Sequence, residues 1–517
     1  MKLRYISSVI LAATMLTACN DGLDTAPEGA TVIESQISSD DINVLAVGLY
    51  QELIGAMNTV DDHTDYGIPA LHMRLESDGM DMVAKNSGYN HFNSSLTYTN
   101  RVYNSTGTLF IWSRCYKIIK ACNELLKLIG PNPKDLATLG YMSEAKTLRA
   151  YAYFTLAQSF QFTYFGNEDK PCVPIKTEKM TLEEGNNNPR ATVKEVYNYI
   201  LSDLDHAVTV FDTLKVERRD KMTADKYVAH GLRARVRLVM HNYEGALKDA
   251  DYVLYTYKPY TREEVSRPTF ISANDASWVW GLMYTENSYA VTTGIINWPS
   301  HLCSFVSNGY TTGGSIYRMI NQNLFNRISP SDVRYGWWLD SEGYSPNLSK
   351  AYLDFVEEKK IPAYSVVKFA PANYDLSTTY NTQHYPMMRA EEMLFIKAEC
   401  LANLDRTDEA KEELVAFVKN NRDAGYVCDA TTKDELVDEV WFQRRIELWG
   451  EGFAFNDIMR LGKDVDRRNS NFENDYQWCV KAGEPILLYR VPKREIEANN
   501  GISDKDNNPS ADLPTVK

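Results

Sequence analysis

Apolar residues recur at helical spacing along most of this 517-residue chain, and the pattern fades in two stretches. It predicts helices over 41–57 and over 109–129, the second stopped by Gly130-Pro131. Segment 141–160 carries Ala145, Leu148, Ala152 and Leu156 at helical spacing. Segments 192–211 and 432–449 each open with capping-box spacing, Thr192 with Glu195 and Thr432 with Glu435. Segments 223–240 and 243–257 form a tight pair across His241-Asn242, and 389–403 with 407–421 form another. Between about 261 and 386 the periodicity gives way to Gly, Pro, Ser, Thr, Asn and aromatic residues. There Trp278 and Trp280 alternate with Val279 as a strand would, with at least one face in the core. A second irregular stretch covers 76–104.

The two helix pairs share a spacing. Ala234 and Ala246 lie twelve apart, as do Ala398 and Ala410, and Ala250 or Leu414 follows four residues later. Small residues at such points let antiparallel helices approach closely, as in tetratricopeptide repeats. The expected fold is therefore mainly α: a degenerate tetratricopeptide-like helical-repeat scaffold with an irregular loop-rich insert. The expected divisions are a signal at 1–18, an N-terminal helical repeat region at 19–260, the insert at 261–386, and a C-terminal helical region at 387–517 packing back on the scaffold. A loop-rich insert of that length in a helical body points to function.

Lys2 and Arg4 precede an apolar run from Ile6 to Leu16, too short to span a bilayer, so 1–18 reads as an export signal. Leu16-Thr17-Ala18-Cys19 resembles a bacterial lipobox, which makes Cys19 the lipidation site; an ordinary cleaved signal with a chance cysteine is the alternative. Several acyl chains on one residue anchor a protein firmly. Loss of Lys2 and Arg4 takes the net charge from -14 to -16. That acidity argues against a nucleic-acid partner. The other seven cysteines are widely spaced without a C-x-x-C, and most are expected as buried thiols.

Catalytic patterns do not emerge. Glu447, Glu451 and Asp457 lie among Arg444, Arg445 and Arg460, which predicts a buried ion-pair network. Asp61, Asp62, His63 and Asp65 lack the Gly and terminal Glu of a calcium loop and read as a solvated loop. Gly313-Gly314 lacks the Lys of a phosphate cradle, and no Ser sits in a nucleophile elbow. No catalytic residue, metal or cofactor is called for. Binding suits the composition better, since 33 tyrosines outnumber Phe and Trp together. Sugars offer flat C–H faces ringed by hydroxyls, which aromatic rings beside amides match. Trp298 with Asn297, Tyr310 with Asn308, Tyr284 beside Glu286 and Asn287, and Tyr89 with Asn90 and His91 are the candidate ligand-binding residues. Trp337 and Trp338 read as structural.

The start Cys19-Asn20-Asp21-Gly22, the helices around Trp112 and Tyr116 and around Glu144-Ala145 and Leu148-Arg149-Ala150, and the run Arg444-Arg445 to Glu451-Gly452 stand in order along the chain, and together they resemble the SusD/RagB family of outer-membrane lipoproteins. The start Cys19-Asn20-Asp21-Gly22-Leu23-Asp24 with Pro27 is similar to the family's anchor region. Trp112, Tyr116, Ile119 and Asn123 match a family helix pattern, and Glu144-Ala145 with Leu148-Arg149-Ala150, Tyr153 and Phe154 match another. Arg389, Glu392, Leu394, Ala398 and Glu399 resemble a third, and Arg444-Arg445, Glu447, Glu451-Gly452, Asp457 and Arg460 the C-terminal signature. Gln443 and Ala454 depart from that signature, where Glu and Arg are usual. The resemblance implies a mainly α, tetratricopeptide-like helical-repeat scaffold carrying an irregular loop-rich ligand-binding insert, pairing with a SusC-like TonB-dependent transporter in the outer membrane, and a glycan ligand, with oligopeptide as the alternative. A repeat scaffold for protein partners and a lipid-anchored hydrolase are the other readings.

Overall fold

The computed structural model describes residues 39–85, 88–89, 91–214 and 218–516; Cys19, the signal segment and Asn90 lie outside them. The N-terminal helices are α1 (Ser39–Ile54), α2 (Ile68–Asp78), α3 (Thr106–Ile129), α4 (Leu136–Phe160), α5 (Val193–Leu214), α6 (Lys226–Val239) and α7 (Tyr243–Thr256). The following irregular stretch holds short α8 (Trp298–Leu302) and α9 (Tyr310–Gly314), then α10 (Lys350–Lys359). After it come α11 (Ala390–Asn403), α12 (Thr407–Asn421), α13 (Lys433–Glu447) and α14 (Ala454–Arg460). The sequence marks their ends. Thr192 accepts the Glu195 N–H at 3.2 Å while Glu195 accepts the Thr192 N–H at 2.8 Å, and Thr432 and Glu435 repeat the device. Helix α6 starts later than predicted because Asp220 ties Thr223 into a turn and Asp225 caps the Val228 N–H at 3.0 Å.

Helices α3 to α7 pack one on the next, and α7 then packs directly on α11, which carries α12 and α13. The helical row is thus continuous across an excursion of more than a hundred residues. Ala234, Ala246, Ala250, Ala398, Ala410 and Leu414 are all fully buried, as close helix approach requires. Strand β2 (Trp278–Leu282) pairs antiparallel with β4 (Tyr385–Arg389), which ties the two ends of the excursion together; every residue of β2 is buried, so both of its faces are core. Strand β1 (Met82–Val83) pairs with β3 (Met319–Ile320) and brings the N-terminal irregular stretch against the insert. Six of the seven cysteines from Cys115 onward are buried, and Cys479 is half-buried.

Helix α2 was not expected. All eleven of its residues are buried, including His72, Arg74, Glu76 and Asp78, so it has no polar face to generate a helical pattern. Each of these four side chains has a partner. His72 lies between the Tyr151 and Tyr385 hydroxyls, Arg74 donates to the Thr64 carbonyl, and Asp78 accepts from Asn100 and Tyr489. Glu76 accepts the Gly452 and Phe453 N–H groups at 2.7 and 2.9 Å.

A buried charge network joins the insert to the last helices. Glu447 meets Arg422 at 2.8 Å, Arg334 at 3.4 Å and Arg389 at 3.5 Å. Glu391 pairs with Arg389 and Arg422, Glu451 with Arg389 and Lys368, and Asp332 with Arg334. The predicted network exists with other arginines in it. Arg445 leaves for Asp81, while Arg444 and Arg460 hold Asp457. Gln443 accepts from Arg334, so the family departure at this position keeps its place in the network. Burial opposes ionisation of Glu447, but Arg422, Arg389 and Arg334 outweigh it and hold its carboxyl well below the usual range.

Removing one partner strands the others, so Arg422→Met is expected to lower unfolding stability by about 3–5 kcal/mol in urea denaturation. Glu76 responds to pH with the opposite sign from Glu447. Burial pushes it up to about 7 despite the Gly452 and Phe453 donors. Its folded value lies above the unfolded value of about 4.3. Its contribution is therefore fully present below about pH 4.3 and lost as pH rises through about 7. Glu76→Gln should gain stability over wild type progressively from about pH 4 to pH 8, read from unfolding midpoints; a constant difference would contradict this.

Candidate functional site

The β1–β3 pairing places the residues after β1 beside the loop before β3, and an aromatic cluster forms there. Tyr89 is 61% exposed and stands edge-on to Tyr310, with ring centroids 5.3 Å apart. His91 lies parallel to Tyr89 at 6.0 Å and edge-on to Tyr310 at 4.4 Å. His301 stacks on Tyr310 at 4.8 Å and on Tyr66 at 5.0 Å. His63 hydrogen-bonds the Tyr310 hydroxyl through Nδ1, and its carbonyl accepts from His301 Nε2 at 3.1 Å. That bond puts the His301 proton on Nε2; its Nδ1 has no partner among the described residues.

Local chemistry sets these positions. The Tyr310 N–H donates to the Ser300 hydroxyl at 2.9 Å, and Arg318 donates to the His91 and His301 carbonyls. Gly309 lets α9 approach α8, because a Cβ there would lie 2.8 Å from the Ser300 Cα. Gly314 likewise leaves room for the Tyr89 ring, 3.2 Å from where its own Cβ would be. Burial lowers the His91 and His301 values, so both imidazoles are neutral near pH 7. The exposed Tyr89 and half-buried His91 offer a ring face, a hydroxyl and ring nitrogens, with the buried Tyr310, 5% exposed, behind them, a set that suits an uncharged polar ligand. Among the described residues no group of three or more His, Cys, Asp and Glu is placed to hold a metal ion.

The candidates from sequence separate into two groups. Tyr89, His91 and Tyr310 come together, with Asn308 two residues from Tyr310. Trp298, only 2% exposed, donates Nε1–H to the Gln383 carbonyl and packs on Phe369 and Tyr385. Asn297 is buried and caps α8 through the Ser300 N–H. Tyr284 is buried in the main core. Trp337 and Trp338 are core residues, in keeping with their structural reading. The expected solvated loop is instead partly interior. Asp65 is fully buried, pairs with Arg114 and accepts the Thr59 and Val60 N–H groups. That fold carries His63 to Tyr310, a contact spanning 247 residues that no local sequence motif announces.

Two family profiles match the chain: one described as starch-binding and associating with the outer membrane over residues 39–238, and that of the SusD family over 341–509. The chain belongs to the SusD/RagB family. A SusD-like protein of Formosa agariphila is 24% identical over 397 residues, covering 69% of this chain and 72% of that protein. Among solved structures, a SusD-like carbohydrate binding protein from Bacteroides vulgatus is similar, at 20% identity and TM-score 0.73, over 91% of this chain and 98% of its own. A laminarin binding SusD-like protein is similar at 19% identity and TM-score 0.66, over 92% of this chain and all of its own. These structures share the fold. The SusD/RagB signature residues do structural work here: Arg149 joins α4 to α5 through Asp203 at 2.7 Å, and Glu399 holds Arg460.

The tight α8–α9 approach is sensitive. Gly309→Ala should cost about 1–3 kcal/mol in unfolding stability, since backbone rather than a flexible side chain must move. An unchanged denaturation midpoint would contradict that packing.

Proposed function

We propose that this protein is a non-catalytic glycan-binding lipoprotein of the cell surface. It is held in the outer membrane through Cys19, captures oligo- or polysaccharide at Tyr89, His91 and Tyr310, and delivers it to a SusC-like TonB-dependent transporter. The single observation that carries the reading is the exposed Tyr89 set edge-on to Tyr310, with neutral histidines beside both rings. The irregular stretches 76–104 and 261–386 form the binding region, and the helical row is its support. Family membership and the carbohydrate named for two structural neighbours support the choice of ligand class.

Calorimetric titration with laminarin, starch, xylan and mannan, and with a mixed oligopeptide pool, tests the reading. Saturable binding to at least one polysaccharide is expected. Tyr89→Ala and Tyr310→Ala should each weaken it about tenfold, about 1.4 kcal/mol. Trp298→Ala should instead act on the fold, costing about 3–5 kcal/mol of stability. Binding confined to oligopeptides would overturn the glycan assignment. Co-purification of an outer-membrane barrel in mild detergent tests the transporter, and its repeated absence would count against delivery.

A further inference from the structure

We infer that a cleft beside the aromatic cluster is a second subsite for the same ligand, built for an uncharged, hydroxyl-rich segment of it. The inference rests on the glycan reading above and extends it to ligand length and charge. The cleft holds about 620 Å³ and is walled by Ile271, Ser272, Asn274 and residues 284–286, 372–374 and 382–384. That lies within the range of about 300–1,000 Å³ usual for ligand clefts.

Its position links it to the first site. Asn381 donates to the Asn308 carbonyl at 2.8 Å and to Asn297 Oδ1 at 3.0 Å. Asn308 sits two residues before Tyr310, and Thr382 and Gln383, next after Asn381, line the cleft. Ser307 donates to the Leu376 carbonyl at 2.5 Å, a second tie between the two loops.

The wall chemistry defines the ligand. Tyr374 is 46% exposed and adopts φ 59, preceded by Asn373 at φ 56. A bulky residue in the left-handed region costs about 1–3 kcal/mol and persists only where its surroundings enforce it. Here the Tyr374 and Asp375 N–H groups are held by the Pro371 and Ala372 carbonyls, and the Arg267 guanidinium lies 5.3 Å from the ring centroid. An aromatic ring is thus fixed at the rim. Gln383 is 2% exposed, and its amide nitrogen donates to the Ala370 carbonyl at 3.3 Å. Its Oε1 has no hydrogen-bond partner among the described residues. A buried acceptor without a donor is an unmet demand, and Gln383 is part of the cleft wall. Asn274 and Thr382 add further amide and hydroxyl groups. Glu286 lines the cleft while no Lys or Arg does, and burial keeps His384 below the usual imidazole value. A carboxylated or sulfated sugar would meet the Glu286 carboxylate inside the cleft, whereas a neutral one would not. A neutral chain spanning both sites gains affinity with length, because its second contact is intramolecular.

The test is calorimetry on wild type, Tyr89→Ala, Tyr374→Ala and Asn274→Ala, each checked for folding by circular dichroism. The probes are laminarin, starch, xylan and mannan, together with the two-unit and six-unit oligosaccharides of each. For the glycan that wild type binds, the six-unit form should bind more tightly than the two-unit form. Tyr374→Ala and Asn274→Ala should lose about tenfold on the six-unit form and leave the two-unit form unchanged, whereas Tyr89→Ala weakens both. Folded Tyr374→Ala and Asn274→Ala that match wild type at every length would overturn the second subsite and leave the first intact. Wild type that binds none of the probes would overturn the glycan reading itself, and this inference with it.

Discussion

Glu447 lies inside the protein between Arg422, Arg389 and Arg334, and the rest of the structure is arranged around that contact. The three arginines come from different places: the loop-rich insert, the end of β4 and the residue after α12. Taking such charges out of water costs about as much as their attraction returns, so the network adds little net stability over an apolar core. Its effect is geometric. A guanidinium satisfied by two carboxylates accepts few alternative positions, and Lys368 and Asp332 extend the same restriction through the insert. The network fixes where irregular backbone sits on regular helices.

The helical row follows from simpler physics. Alanines at the crossings bring α6 to α7 and α11 to α12, and α7 receives α11 as if the insert were absent. The insert leaves this row and returns to it at roots tied by the β2–β4 pair. The proposed binding surface, drawn from two chain stretches, needs such a base, because loose loops would have to be ordered by the ligand at a cost to affinity.

Helix ends were legible because caps are local: Thr192 with Glu195 and Thr432 with Glu435 each complete their hydrogen bonds within four residues. Helix α2 was illegible because burial on every side removes the pattern that sequence reading depends on. The site was half legible for a related reason. An aromatic beside an amide fits a sugar, but it also fits a helix start, and Asn297-Trp298 is the latter: the amide caps α8 and the indole enters the core. Tyr89, His91 and Tyr310 share the same composition and differ only in what the fold sets against them. His63 and His301 enter through contacts between distant segments, for which no spacing along the chain gives a sign.

The proposed site is checked most directly by a crystal structure of the protein soaked with an oligosaccharide that it binds in solution. The proposed site requires a sugar ring packed against Tyr89 and Tyr310, with His91 within hydrogen-bonding distance of its hydroxyls. A sugar seated elsewhere, with the Tyr89 and Tyr310 rings untouched, would contradict it.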